Sequence, residues 1–178
     1  KLCEGCPLHV YRDKVVFGDG PLDTNVALLG EGPGKDEDRT GKPFVGRAGT
    51  VLDKELERVG IDRSELYITN LVKCRPPNSR NPLKLEKVKC KYFLKRELEI
   101  VNPDVIMILG TEPTREILHT WDTLTKIEGE WYEVNGIDYF PNYHPASLTY
   151  GSQYEEKFHK NFDKFKERLE QEYPEVLV

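Results

Sequence analysis

The sequence predicts an α/β fold, a three-layer α/β/α sandwich around a central, mainly parallel sheet of four strands. Short apolar runs alternate along the chain with longer stretches whose apolar residues recur at helical spacing. The run at 104–109 is apolar after its first residue, as expected of a strand covered on both faces of a sheet. Strands that alternate with helices in this way favour a parallel sheet between two helical layers.

The predicted elements begin after an irregular segment at 1–24. The first strand is predicted at 26–29, and a Gly-Pro-Gly turn at 32–34 follows it. A helix at 48–59 carries its apolar residues on one face and ends at Gly60. The remaining predicted elements are a strand at 66–71, a loop at 73–82, a helix at 83–101, a strand at 104–109, a short helix at 112–118, one or two strands at 131–140 around an Asn-Gly turn, and a helix at 153–172.

Length and charge limit the class of protein. With 178 residues, the chain is expected to form one domain over 1–178. Its net charge is −5, but 71–100 has nine positive and three negative residues, whereas 128–178 has five positive and eleven negative ones. One face could therefore meet a polyanion, although two oppositely charged surface helices would give the same counts. No apolar run approaches the about 20 residues of a membrane span, so we expect a cytoplasmic protein without a membrane partner.

The four cysteines form two pairs that are distant in the sequence. Cys3 and Cys6 form a C-x2-C pair, and fifteen residues separate Cys74 from Cys90. Two such pairs are typical of a four-thiolate metal site, and their spacing suits zinc and iron–sulfur equally. Pro7, directly after Cys6, slightly favours iron–sulfur. Two structural disulfides are an alternative, and unpaired buried thiols would explain the second pair but not the first.

The glycine-rich stretch after the first strand does not match a phosphate-binding loop. A Walker loop requires Ser or Thr after Gly-Lys, where Asp36 stands, and a dinucleotide loop requires a third glycine, where Lys35 stands. The stretch instead places carboxylates and backbone amides just beyond the carboxyl end of a strand. Open α/β sheets bind their ligands at that edge.

Four features fall at predicted strand ends: the acids within 31–37, Phe44, Asn70 and His144. Each alone has an ordinary explanation, as a surface acid, a core aromatic, a strand-end cap or a turn histidine. Together they predict a base pocket. It would have a ring for stacking, an amide with a donor and an acceptor, an acid at one edge and an imidazole beside the reacting bond.

The chain resembles the family 4 uracil-DNA glycosylases, the iron–sulfur members of the uracil-DNA glycosylase superfamily. The resemblance covers nearly the whole chain and rests on CEGCPL, GEGPGKDED, GKPFVGRAG, LYITNLVKCRPPNSRNP and YHPASL, in that order. The basic, histidine-containing insertion that a covalently bonding relative carries after Asn70 is absent from this sequence. The resemblance implies hydrolysis of the N-glycosidic bond of uracil in DNA, which leaves an abasic site during base excision repair of deaminated cytosine.

The resemblance also implies roles for the pocket residues. Phe44 would stack on the uracil ring, and the Asn70 amide would read its imide edge. Glu37 would stand near the carbon that carries a methyl group in thymine and help to exclude that base. His144 would donate a hydrogen bond to a uracil carbonyl oxygen as negative charge develops on the leaving base.

Further roles concern water, metal and DNA. Backbone groups around Glu31 and Gly32 would hold the second uracil carbonyl, and Glu31 would position the attacking water. A four-iron, four-sulfur cluster would join the N-terminal segment to 73–90, and the loop at 145–148 would press into the minor groove with Leu148 as its wedge. The predicted cluster ligands are Cys3, Cys6, Cys74 and Cys90, the predicted phosphate contacts are Lys73, Arg75, Arg80 and Lys84, and the predicted groove contacts are Pro145, Ala146, Ser147 and Leu148.

The expected partner is uracil-containing DNA, bound by a monomer. Two other interpretations stay open at this point: a non-catalytic damage-recognition or redox-sensing iron–sulfur module, and a zinc-stapled nucleotide hydrolase. His144 together with Asn70 favours the glycosylase over the binding module, because a binding module has no use for a group that stabilises a leaving base.

Overall fold

The computed structural model describes residues 3–148 and 153–178. The predicted elements are present, with boundaries within two residues of those predicted from the sequence. The described strands are β1 (Val26–Gly30), β2 (Tyr67–Asn70), β3 (Val105–Leu109), β4 (Tyr132–Val134) and β5 (Ile137–Asn142). The described α-helices are α1 (Lys35–Thr40), α2 (Arg47–Val59), α3 (Lys84–Val101), α4 (Thr111–Leu118), α5 (Leu124–Ile127) and α6 (Glu155–Glu172).

The sheet has the order β2-β1-β3-β5-β4. β1 lies parallel to β2 and β3, and β3 lies parallel to β5. The carboxyl ends of these four parallel strands therefore meet at one edge of the sheet, where a ligand site is expected.

The predicted number of four strands is wrong by one within the described part of the chain. The stretch at 131–140 forms a hairpin, because Asn135 and Gly136 both adopt positive φ, at 55° and 80°. Its first strand, β4, pairs antiparallel with β5 and forms one edge of the sheet. The fifth strand leaves the predicted mainly parallel α/β sandwich unchanged.

Helices cover both faces of the sheet. Val26 and Leu28 of β1 point into a core shared with α2, α5 and α6. Ala27 and Leu29, which alternate with them, point into a second core shared with α3 and α4. This alternation explains why the inner strands are apolar without interruption, since every side chain in them is buried. The predicted three-layer arrangement is therefore confirmed.

Two short helices, α1 and α5, were not predicted from the sequence. α1 is six residues long and mostly charged, so it has no apolar periodicity to reveal it. Its acids lie in the first turn, where the helix dipole favours negative charge, and Gly41 ends it at a φ of 84°. In the described residues, no helix is long and apolar enough to cross a membrane.

Candidate active site

The predicted base-pocket residues come together at the carboxyl edge of the sheet. A cavity of about 340 Å³ opens there between the ends of β1 and β2 and the segment that follows β5. Side chains that lie far apart in the sequence therefore share one cavity. Its lining includes all of the predicted uracil-binding residues, Gly32, Glu37, Phe44, Asn70 and His144.

Phe44 is held at this cavity by contacts to its backbone. The residue is 5% exposed and adopts a left-handed conformation, with a φ of 50°, that is costly for a bulky side chain. The Arg63 guanidinium donates hydrogen bonds to the carbonyl oxygens of Pro43 and Phe44, at 3.2 and 3.0 Å. A Cβ on Gly49 would lie 2.0 Å from the Phe44 carbonyl oxygen, so only glycine lets α2 pack this closely. These contacts hold the aromatic ring in place.

Glu37 fastens the loop that carries Phe44. Its carboxylate oxygen Oε1 accepts hydrogen bonds from the backbone N–H groups of Val45 and Gly46, at 3.0 and 2.8 Å. Hydrogen bonds to an ionised carboxylate are among the stronger ones in proteins. Glu37 is buried and lines the cavity as well. It therefore has a structural contact that the sequence did not reveal.

Asn70 presents an unsatisfied acceptor. The residue is 3% exposed, and its Oδ1 is buried without a hydrogen-bond partner among the described residues. Leaving such an oxygen unpaired costs about 1–3 kcal/mol, which a ligand that donates a hydrogen bond would recover. Gly30 makes room for this arrangement, because a Cβ there would lie 2.5 Å from Asn70 Oδ1 and 2.6 Å from Phe44 Cζ.

His144 is held as a neutral imidazole with a defined tautomer. The backbone N–H of Ala146 donates to its Nδ1 at 3.1 Å, which places the ring proton on Nε2. Burial lowers the pKa of His144 from its ordinary 6.5 to about 4, so the ring is uncharged at neutral pH. The ring also stacks on Phe44, with centroids 5.6 Å apart and an interplanar angle of 29°.

Glu31 lies in a neighbouring cavity, also of about 340 Å³, which shares His144 and Gly32 with the first. Burial, reinforced by the nearby Glu112 carboxylate and opposed by Lys87, raises the pKa of the half-buried Glu31. A raised pKa makes the carboxylate a better proton acceptor. The predicted water-positioning residue thus lies beside the base cavity rather than within its wall.

The four cysteines surround a separate cavity of about 170 Å³. The backbone N–H of Lys73 donates to the Cys90 sulfur at 3.2 Å, and Arg12 donates to the Cys74 sulfur at 3.3 Å. Burial raises the pKa of Cys74, and that of Cys90 to about 11. Among residues 3–148 and 153–178, no group of three or more His, Cys, Asp or Glu side chains is arranged to hold a single metal ion.

The prediction that Lys73 contacts a phosphate is wrong. The residue is 1% exposed and its ammonium pairs with Glu97 inside the protein, so the side chain does not reach a phosphate outside it. Its place within a basic, proline-rich stretch suggested a surface loop, but the residues from 71 to 74 are all buried.

The other predicted phosphate contacts lie nearer the surface. Arg80 forms two hydrogen bonds with Glu86, at 2.8 and 2.6 Å, which fix its guanidinium against the start of α3. Lys84 is exposed in the first turn of the same helix. Arg75 is half-buried, and its Nε has no hydrogen-bond partner among the described residues. For these three side chains, contact with DNA phosphates stays a prediction.

The loop at 145–148 forms a tight 3₁₀ turn directly after His144. The Ser147 backbone N–H and hydroxyl both donate to the His144 carbonyl oxygen, at 2.9 and 2.7 Å, while Ala146 is exposed. Leu148, the predicted wedge, is half-buried and packs against the core. It does not project as a wedge in this conformation, and the segment 149–152 that follows lies outside the described residues.

Two cations at the base cavity escaped the sequence analysis. Lys35 and Arg47 are exposed and line its mouth. Each stands at the first position of a helix, α1 and α2, directly after a glycine N-cap. The glycine directly before each cation was the available signal. A cavity that combines an aromatic ring with hydrogen-bonding side chains is typical of enzymes that act on a base taken out of a nucleic-acid strand.

Comparison with known proteins agrees with that class. The family model for the uracil DNA glycosylase superfamily matches residues 17–171. A type-4 uracil-DNA glycosylase of Thermotoga maritima is 45% identical over 152 residues, which cover 83% of this chain and 78% of the relative. A type-4 uracil-DNA glycosylase of Archaeoglobus fulgidus is 37% identical over 183 residues, covering 98% and 92%. A type-5 uracil-DNA glycosylase of Pyrobaculum aerophilum is 31% identical over 165 residues, covering 80% and 73%.

The chain therefore belongs to the uracil-DNA glycosylase superfamily and, within it, to the type-4 uracil-DNA glycosylases.

Proposed function

We propose that this protein is a DNA repair glycosylase, a hydrolase that removes uracil from DNA and leaves an abasic site where cytosine has been deaminated. Membership of the type-4 family supports the activity and the substrate class. The observation that carries the base assignment is the buried Oδ1 of Asn70 in the cavity wall, for which the described residues provide no hydrogen-bond partner. A bound base that donates a hydrogen bond to this oxygen would satisfy it.

The Asn70 amide distinguishes uracil from cytosine by its hydrogen-bonding pattern. Uracil offers an imide N–H to Asn70 Oδ1, whereas cytosine has a lone pair at the same ring position. Bound cytosine would leave two buried acceptors facing each other, and a site built to hydrogen-bond its substrate rejects such a mismatch strongly. Phe44 supplies the apolar face on which the ring rests, and Glu37 narrows the cavity where a thymine methyl would lie.

His144 stabilises the leaving base as a neutral donor. When the bond between the sugar and the base breaks, the electron pair leaves with uracil, and negative charge spreads to its carbonyl oxygens. The Nε2–H of His144 then donates to one of these oxygens, and the hydrogen bond strengthens as the charge grows. Because this stabilisation is greater in the transition state than in the bound substrate, it lowers the barrier.

Water completes the hydrolysis by adding to the sugar carbon that the base has left. Glu31 lines the cavity next to the base cavity, and the two cavities share His144, which supports a role for the Glu31 carboxylate in orienting that water. Its raised pKa supports weak general-base assistance as the water loses a proton.

The four cysteines fit a four-iron, four-sulfur cluster. All four line one cavity, whose remaining wall is apolar apart from Arg12, Lys73 and Lys89. These cations offset the negative charge of thiolate ligands, which burial alone disfavours. When bound, the cluster would supply a rigid link between the N-terminal segment and the 73–90 region, and all four protein ligands would be thiolates.

DNA contacts are proposed for the surface next to the base cavity. Arg80 and Ala146 line the cavity around Glu31, and Lys84 begins α3 beside it. Arg75 belongs to the same stretch. Phosphate contacts from these side chains would place the strand, and the turn at 145–148 would face the groove from which the base is taken.

Oligonucleotides that carry a single U, T, C or hypoxanthine test the proposal. Alkali cleaves the strand wherever a base has been released. We expect cleavage of the U strand alone, lost in Asn70→Ala and in His144→Ala. Asn81→Ala and His119→Asn remove the same side-chain types from exposed positions and should cleave normally.

Other outcomes would redirect the assignment. Cleavage of another strand would contradict the roles given to Asn70 and Glu37. Tight binding of uracil-containing DNA without any release of base would favour the interpretation as a non-catalytic damage-recognition module over the glycosylase.

A further inference from the structure

Lys73 is a buried cation at the back of the base cavity. Its ammonium donates to the backbone carbonyl oxygen of Asn70 at 2.6 Å and to the Thr69 hydroxyl at 2.7 Å. Its third partner is the Glu97 carboxylate, at 2.5 Å. An ammonium group has three donors, so all of them are satisfied inside the protein.

Glu97 ties this group to the rest of the fold. One of its oxygens accepts a hydrogen bond from the Gly18 backbone N–H at 2.9 Å, and the other accepts one from the Thr69 hydroxyl at 2.7 Å. Helix α3, the end of β2 and the N-terminal segment therefore meet at one polar cluster.

The backbone of Lys73 is anchored on its other side to the cysteine cavity. Its N–H donates to the Cys90 sulfur at 3.2 Å, and its carbonyl oxygen accepts from the Val16 N–H at 2.7 Å. Cys74 is the next residue, and Lys73 itself lines the cysteine cavity. One residue thus contacts both the peptide of Asn70 and the site that holds the cysteines.

We propose that Lys73 is a positioning residue for base recognition. It belongs to the loop anchored at the cysteine site, holds the backbone carbonyl of Asn70 and thereby fixes the orientation of the Asn70 side-chain amide. The inference rests on the proposed function and deepens it. The placement of the cation supports a role in orientation, because a buried ion pair contributes little stability compared with apolar residues of similar volume. Recognition by a single amide, in contrast, depends on a geometry held to within about 0.5 Å.

The variant Lys73→Met/Glu97→Gln tests the inference without leaving a buried charge unpaired. Methionine fills a similar volume, and glutamine can still accept from Gly18 and donate to Thr69, but nothing holds the Asn70 carbonyl. Two controls accompany it. Glu55→Gln loses a different buried carboxylate, which pairs with Arg58 and lies far from Asn70 in the sequence. Thr69→Val removes a hydroxyl of the cluster and leaves the contact between Lys73 and Asn70.

The measurement is equilibrium binding of an oligonucleotide with one non-cleavable 2′-fluoro-deoxyuridine, compared with the same strand carrying thymidine. For Lys73→Met/Glu97→Gln we expect the preference for the uracil strand to fall at least tenfold. Binding of the thymidine strand and its salt dependence should stay within twofold of wild type. Glu55→Gln and Thr69→Val should keep the preference. The visible absorbance of each protein reports whether the cysteine site has been retained.

Each alternative outcome is distinct. An unchanged preference, with only a lower melting temperature like that of Glu55→Gln, would reduce Lys73 to a structural residue and overturn the inference. Weaker binding of both strands with a shallower salt dependence would make it a phosphate contact and overturn it as well. If the double variant does not fold, Glu97→Gln alone takes its place, because it weakens the anchor of Lys73. This variant should lower the preference for the uracil strand severalfold, and an unchanged preference would overturn the inference. A wild-type protein without any preference for uracil would instead refute the proposed function.

Discussion

The backbone N–H of Ala146 donates a hydrogen bond to Nδ1 of His144, at 3.1 Å. This bond fixes the proton of the neutral ring on Nε2, so the nitrogen left to meet a ligand is a donor. Since the donor comes from the turn that directly follows His144, the local sequence HPAS sets the tautomer without help from a carboxylate.

The neutral state of His144 predicts how the reaction depends on pH. Burial lowers the pKa of the ring from 6.5 to about 4. The single-turnover rate of uracil release should therefore show no inflection near pH 6.5 that is attributable to His144, whose own titration should affect the rate only as the pH approaches 4. An inflection near 6.5 that is absent from His144→Gln would contradict the assigned neutral donor.

The same group predicts a pH dependence of stability. Between about pH 6.5 and 4 the unfolded chain binds a proton at His144 that the folded chain does not, so stability falls as the pH falls through this window. The contribution of His144 is complete above about 6.5. The free energy of unfolding, measured with denaturant at several pH values, should depend on pH more steeply in wild type than in His144→Gln within this window. The difference should be up to one proton, or about 1.4 kcal/mol per pH unit. Equal slopes would mean that burial does not shift this histidine.

Gly30→Ala should disable the pocket from behind. The added Cβ would lie 2.5 Å from Asn70 Oδ1 and 2.6 Å from Phe44 Cζ, so both recognition groups must move. A displacement of about 1 Å can cost roughly 100-fold in rate, and overpacking costs about 1–3 kcal/mol of stability. We expect losses of this size in uracil release and in the free energy of unfolding. Gly136→Ala, at a positive φ in open space, should lose stability but keep its rate.

Hydrophobic patterning predicted most of the sheet and its flanking helices, because continuous apolar strands and amphipathic helices leave a clear period in the sequence. It did not predict α1, which is too short and too charged to show one. It left open whether 131–140 forms one strand or two, since the three partly exposed or exposed residues of β4 beside a turn carry a weak signal. The shared edge of Asn70 and His144 followed from the strand ends, whereas Phe44 reaches the same edge from the loop after α1.

Burial of single polar side chains could not be predicted. Lys73 looked like a surface cation because an Arg, two Pro and an Asn follow it at 75–78. Its partner Glu97 lies 24 positions away, and only the packing of α3 on the sheet brings the two together. Arg63, which holds the backbone of Phe44, lies 19 positions from it in the sequence. Contacts of this kind depend on tertiary structure and leave no local pattern.

Glu37→Ala should release the loop that carries Phe44. Without the carboxylate, the part-buried backbone N–H groups of Val45 and Gly46 lose their shared acceptor, at a cost of about 0.5–1.5 kcal/mol for each hydrogen bond. We expect slower uracil release and lower stability. Glu37→Gln retains an acceptor oxygen and serves as the control, with activity much closer to wild type. If both variants release uracil at the wild-type rate, the loop does not depend on this carboxylate.

The content of the cysteine site should distinguish the three interpretations that four cysteines allow, which are an iron–sulfur cluster, a zinc ion and two disulfides. Iron and acid-labile sulfide measured on anaerobically purified protein should approach four of each per chain, with broad visible absorbance. One zinc ion without colour, or two disulfides and no metal, would each refute the cluster.

Cys90→Ser should lose the absorbance and lower the melting temperature, because Cys90 is 8% exposed and its sulfur contacts the backbone of Lys73. The preference for uracil should fall in the same variant, since the loop that holds Asn70 would lose its anchor. Loss of colour with unchanged preference would instead show that the base pocket is built independently of the cluster.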